Sequence, residues 1–125
     1  MSLDLHAGEL SASSMVEDGA LRLTLTGTAD ATAEPGLGEL LGRLHRESMR
    51  AAVRQVVVDL RALEFMNSSC FKCFITWIVA VRRLPADQHY KIRFLSNPDL
   101  HWQRRSLHAI SYFGGELVSV DAVAT

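Results

Sequence analysis

The sequence predicts an α/β fold in which helices pack on a mixed central sheet, with elements in the order β-β-α-β-α-β-α-β. Residues 20–27 alternate apolar and polar at period two, which indicates a strand with one buried face. Residues 55–60 form a β-branched run typical of a strand buried on both faces. Residues 67–84 form a strongly apolar helical segment that stops before Pro85. These alternating signals favour strands that pair in parallel after an opening hairpin.

The first half of the chain contains that hairpin and one helix. Residues 9–16 alternate weakly, Glu17-Asp18-Gly19 provides a turn, and residues 20–27 return as the second strand. A helix is predicted from about Glu34 to Ala52, with Asp30 or Thr32 as its cap and Pro35 in its first turn. Its apolar residues at near-helical spacing are Leu37, Leu40, Leu41, Leu44 and Met49.

The second half alternates strands and helices. The central strand at 55–60 is followed by a predicted loop over 61–66, and Asn67-Ser68-Ser69 opens the apolar helix. A strand is predicted at 90–95. Residues 96–99 start a third helix that runs to about Tyr112, Gly114-Gly115 ends it, and a last strand follows at 116–120. We therefore expect a single domain over 1–125 with its core at about 9–120.

Composition indicates a class of protein and excludes several partners. The chain has 125 residues, 48% of them hydrophobic and 22% charged, as in one globular domain. A net charge of -1 gives no overall attraction to nucleic acid or an anionic membrane, and Arg104-Arg105 is too short a cluster to change that. Residues 1–5 do not read as a signal peptide, and apolar runs such as 73–81 are too short to span a bilayer. We expect a cytoplasmic protein that binds neither nucleic acid nor membrane.

The passage over residues 57–72 resembles the signature of STAS domains, the family of bacterial anti-sigma factor antagonists and of the cytoplasmic tails of sulphate transporters. In that family a buried strand ending in Asp-Leu leads through a short loop to an Asp-Ser-Ser/Thr-Gly element at a helix start. Here Asp59-Leu60 and Asn67-Ser68-Ser69 hold those places. The resemblance implies a STAS-like fold over nearly the whole chain. The sequence departs from the pattern with Asn67 for aspartate, Cys70 for glycine and Lys72 for a small residue. We expect Asn67 to cap the helix as aspartate would, because its side-chain oxygen accepts the same backbone N–H bond.

The resemblance also implies a function. In the antagonist branch, a serine kinase that doubles as the anti-sigma factor phosphorylates the first serine after the aspartate, and that position is Ser68, with Ser69 as the second choice. Unmodified protein would occupy this partner and phosphoprotein would release it. The expected protein is a non-enzymatic regulatory domain without cofactor or catalytic residues, monomeric or weakly homodimeric.

Helical spacing divides the apolar helix into two faces. One face is predicted to be core and comprises Cys70, Phe74, Trp77, Ile78 and Val81. The other, which we call the docking strip, comprises Ser68, Lys72, Ile75, Val79 and Arg83. Two apolar residues beside a lysine and an arginine predict a surface that receives a partner, with Asn67 at its end and Lys72 able to pair with a phosphate. Alternatively, Ser68 is only a helix cap, and Ile75 and Val79 pack beneath another helix or a second subunit.

Three other interpretations are open. The first is a STAS scaffold that is never phosphorylated. This interpretation predicts the departures from the family pattern at Asn67, Cys70 and Lys72. The second is a thiol redox protein using Cys70 and Cys73, a C-x-x-C pair at a helix start. It is disfavoured because Cys73 lies on or near the apolar face and the residues that surround a thioredoxin motif are missing. The third, a metal site, is disfavoured because the histidines show no paired ligand spacing, and we expect all five at surfaces or interfaces.

Overall fold

A computed structural model describes residues 3–123, which form one six-stranded sheet and three helices. The strands lie side by side in sequence order, the first two pairings antiparallel and the other three parallel. They are β1 (Leu5–Ala7), β2 (Leu10–Glu17), β3 (Ala20–Ala29), β4 (Gln55–Met66), β5 (Lys91–Ser96) and β6 (Val118–Ala122). The helices are α1 (Glu34–Arg50), α2 (Ser68–Arg82) and α3 (His101–Gly114), and short 3-10 turns lie at Ala86–Gln88 and Gly115–Leu117.

The predicted order of strands and helices is confirmed from β2 to β6, but the start of the core was placed too late. The unpredicted strand β1 pairs with β2, Leu5 opposite Ala12, and forms an edge of the sheet. Leu3 precedes it and is only 1% exposed. Three residues are too few for alternation to be visible in sequence. The last strand, β6, also ends later than predicted, at Ala122.

The predicted loop over 61–66 was wrong, because β4 continues to Met66. Its pairing with β5 ends at Asp59, whereas its pairing with β3 continues to Met66 opposite Ala29. Two shifts of register interrupt this second stretch. Such irregularities insert extra residues into a strand and break the period-two pattern. Leu63 and Met66 are accordingly buried three positions apart, a spacing that does not indicate a strand.

One face of the sheet and the three helices share a single buried cluster. It takes alternate strand positions such as Leu23, Val58 and Phe94, together with the buried apolar residues of the three helices. Val57 and Asp59, on the alternate positions of β4, are also buried, so the prediction of two buried faces for this strand is confirmed. The five residues that the helical spacing assigned to the core of α2 are all buried.

The boundaries of α1 and α2 differ in detail from the predictions. The N-cap of α1 is Ala33 rather than Asp30 or Thr32, because the Asp30 carboxylate accepts from the N–H groups of Thr32 and Ala33 in the preceding turn. Pro35 lies in the first turn as predicted. The helix ends at Arg50, and Met49, expected on the apolar face, is 41% exposed. Helix α2 ends at Arg82, two residues before the predicted end.

Candidate functional site

The start of α2 is fixed by one side chain and one backbone bond. Asn67 has extended backbone geometry, and its side-chain oxygen accepts from the N–H of Cys70 at 3.0 Å, which is the N-cap interaction expected from the sequence. The N–H of Asn67 donates to the carbonyl of Ala29 at 2.9 Å. Strand β3 and the cap together therefore fix the position of Ser68, where the chain passes from β4 into α2.

Two side chains that the sequence did not indicate, Asn97 before α3 and Gln103 within it, hydrogen-bond to the last part of β4, which leads into Ser68. The buried Gln103 of α3 donates to the carbonyls of Leu60 and Leu63 at 2.6 and 3.1 Å. The side chain of Asn97 donates to the carbonyl of Arg61 at 3.1 Å. These carbonyls lie beyond the last residue of β4 that pairs with β5. Side-chain amides thus replace the missing strand partner, as buried backbone carbonyls require, and connect α3 to the segment that leads into Ser68.

Ser68 is exposed at the first turn of α2 and lines a pocket between α2 and α3. The α3 side of the pocket provides Arg105, Ser106 and Ala109, and the α2 side provides Phe71 beside Ser68. The sequence predicted Ser68 as a site residue but did not predict its proximity to Arg105. Only the packing of α2 beside α3 brings these two residues together.

The docking strip is uneven in exposure. Lys72 and Arg83 are exposed, as is Ser68, whereas Ile75 and Val79 are half-buried. Ile75 also packs against the central cluster. The strip is therefore a charged surface with two partly covered apolar side chains between its polar ends.

The cysteines lie in surroundings that disfavour a reactive thiolate. Cys70 is fully buried, its sulfur lies 3.4 Å from the carbonyl oxygen of Asp30, and burial raises the pKa of its thiol to about 11. Burial also raises the pKa of Cys73, with the Glu34 carboxylate adding to the effect. Redox cysteines need a lowered pKa, so the geometry disfavours the thiol redox interpretation.

His45 belongs to a partly buried polar cluster rather than to the surface. Its Nδ1 lies 2.6 Å from the hydroxyl of Tyr90, to which the indole N–H of Trp77 also donates at 2.8 Å. Burial lowers the pKa of His45, and the neighbouring charge of Arg46 lowers it further. The contact between the imidazole and the Tyr90 hydroxyl links α1 to the residue that precedes β5. Within residues 3–123, no three histidine, cysteine, aspartate or glutamate side chains are grouped in a way that could hold a metal ion.

Comparison with known proteins identifies the fold. The structure is similar to the crystal structure of an anti-sigma factor antagonist from Mycobacterium paratuberculosis, with a TM-score of 0.64 and 18% sequence identity over 86% of each chain. The chain therefore has the STAS fold of that antagonist, and the fold predicted from the sequence is confirmed. No protein-family model and no curated protein matches the sequence. Among the described residues, no helix has the length and apolarity needed to cross a membrane.

Proposed function

We propose that this chain is a non-enzymatic regulatory domain that binds a protein partner through α2 and releases it when Ser68 is phosphorylated. The partner would be a serine kinase that also acts as an anti-sigma factor, and the binding surface would comprise Asn67 and the docking strip. The observation that carries the proposal is an exposed serine in the first turn of a side-chain-capped α2, in a fold shared with an anti-sigma factor antagonist.

The local chemistry is compatible with a phosphate at Ser68. The first turn of a helix has unpaired N–H groups and the positive end of the helix dipole, which stabilise an anion by roughly 0.3–1 kcal/mol. The added charge of about -2 acts instead on the partner, through repulsion and loss of hydration in the interface. Cys70, which stands where the family has glycine, points into the core and adds nothing to the outer surface around Ser68.

Capture of the partner from a lysate of the source organism tests the switch. Wild type and Ser68→Ala should retain the partner, whereas Ser68→Asp should bind at least tenfold more weakly, because full phosphorylation costing ~3 kcal/mol would weaken binding roughly 150-fold. Thr76→Asp places the same charge on the exposed side of α2 that faces α1, outside the docking strip, and serves as the matched control. In a second assay, the partner kinase and ATP should add one phosphate to wild type and none to Ser68→Ala.

The scaffold alternative makes the opposite prediction for the same experiments. A STAS domain that is never phosphorylated would gain no mass from kinase and ATP. Its binding would also be equal for wild type, Ser68→Ala and Ser68→Asp. That pair of results would refute the switch at Ser68.

A further inference from the structure

Charge is distributed unevenly between α2, α3 and the rest of the chain. Residues 68–83 and 101–114 contain five lysines and arginines and no aspartate or glutamate. The remaining residues contain eight lysines and arginines against fourteen acids. The net charge of -1 thus conceals a basic part and an acidic part. We give the name basic face to the surface formed by α2 and the adjoining side of α3; it comprises Lys72, Arg82, Arg83 and Arg105. Arg104 lies outside it, because it lines a separate pocket with Val120 and Ala122 of β6.

The fold places these four residues on α2, at its C-cap and on the neighbouring α3, and leaves them exposed. Arg82 joins the helices, because its guanidinium donates to the carbonyl of Phe113 and lies 4.7 Å above the ring of the same residue. None of the four residues forms a salt bridge with any residue in the range 3–123. By contrast, four arginines elsewhere, Arg22, Arg50, Arg61 and Arg93, pair with carboxylates. The positive charge of the basic face is therefore available to a partner.

The pocket beside Ser68 gives this surface a defined anchor point. Arg105 forms one wall, and Phe71, Met66 and Ala109 provide apolar walls. A short side chain ending in a carboxylate suits such a pocket, since its stem can contact the apolar walls while its charge pairs with the guanidinium.

We propose that the partner contacts the basic face through an acidic, partly apolar protein segment, with one carboxylate in the pocket beside Arg105. This inference rests on the proposed function and specifies the chemistry of the partner. Charge complementarity selects an acidic occupant. The half-buried Ile75 and Val79 favour a protein segment over a nucleic acid, as does the acidic remainder of the chain, which repels a long polyanion.

The proposed contact also explains how one phosphate could release the partner. A phosphate on Ser68 would lie at the mouth of the pocket that the partner carboxylate needs. It would compete for Arg105, and Lys72, one turn along α2, could neutralise part of its charge. Release would then follow from competition between two anions for one pocket, without any change in the fold.

Fluorescence anisotropy with two labelled twelve-residue peptides tests the inference on the full chain. One peptide alternates leucine with glutamate, and the other replaces every glutamate with glutamine. The glutamate peptide should bind about tenfold more tightly in dilute buffer, and about 0.5 M salt should remove the difference. Lys72→Glu/Arg105→Glu, which reverses two charges of the basic face, should lose the preference. Arg43→Glu/Arg46→Glu, which reverses two exposed arginines on α1, should keep it.

Three results would overturn the inference. The first is equal affinity for the two peptides, and the second is an equal loss of the preference for the glutamate peptide in both double variants. The third is tighter binding of a single-stranded DNA than of the glutamate peptide of the same charge. Circular dichroism of each variant establishes that it is folded. Ser68→Asp should also weaken binding of the glutamate peptide. If it does not, while Lys72→Glu/Arg105→Glu does, the switch at Ser68 fails but the partner chemistry stands.

Discussion

Replacement of Asn67 by alanine should lower the free energy of unfolding, because α2 loses its N-cap hydrogen bond. The side-chain oxygen of Asn67 accepts from the Cys70 N–H at 3.0 Å, and Asn67 itself lies outside the helix, so helix propensity does not change. Loss of a capping side chain costs about 1 kcal/mol. For a domain of this length that corresponds to a fall of about 3–6 °C in the midpoint of thermal unfolding.

Urea denaturation followed by tryptophan fluorescence measures the effect, since Trp77 of α2 is buried and reports on unfolding. Ser69→Ala, an exposed change two residues along, is the matched control and should alter the free energy of unfolding by less than about 0.5 kcal/mol. Asn67→Asp should keep the cap and add roughly 0.3–1 kcal/mol at neutral pH. That gain should vanish as pH falls through the carboxyl pKa. A free energy of unfolding for Asn67→Ala equal to that of wild type would refute the capping role.

Three further predictions concern the rest of the fold. The Arg61 guanidinium, helped by Arg22, holds the pKa of Asp59 at about 2, below its usual 3.8. Ionised Asp59 should therefore contribute about 1–2 kcal/mol to the free energy of unfolding, fully present above about pH 4 and lost as pH falls towards about 2. The urea midpoints of wild type and Asp59→Asn should converge at that low pH, and parallel pH profiles would contradict this. In thiol titration with a coloured disulfide reagent, Cys70 should react only on unfolding, and immediate reaction of both cysteines in the native protein would contradict its burial. Gly114→Ala should cost about 1–3 kcal/mol, because its Cβ would lie 2.2 Å from a Val118 methyl; an unchanged urea midpoint would show that Val118 moves freely.

Sequence reasoning succeeded where a local pattern determines structure. The helical spacing of α2 assigned its buried face, and the capping chemistry of Asn67 assigned its first residue. It failed where the structure depends on long-range contacts. Strand β1 exists because β2 offers it an edge, and the second half of β4 exists because β3 and the Gln103 amide of α3 hold it.

The candidate site divides in the same way. Ser68 and Lys72 were predicted from a motif and a helical period, both of which are local. Arg105 is distant in sequence from Ser68, and Arg104-Arg105 alone is too short to indicate a binding surface. The basic face becomes visible only when α2 and α3 lie together, because each helix alone carries at most three basic residues.

The identity between chain order and strand order in the sheet also bears on how the protein is made. Each strand pairs with the strand before it, so a chain emerging from the ribosome adds every new strand to an edge that is already present. The N-terminal strands are the first available to pair, although a two-stranded hairpin is only marginally stable on its own. We therefore expect the antiparallel pairings of β1, β2 and β3 to form first and the β6 edge to be completed last. Stalled chains that end before β4 would expose the edge of β3, which makes them the species most prone to aggregate.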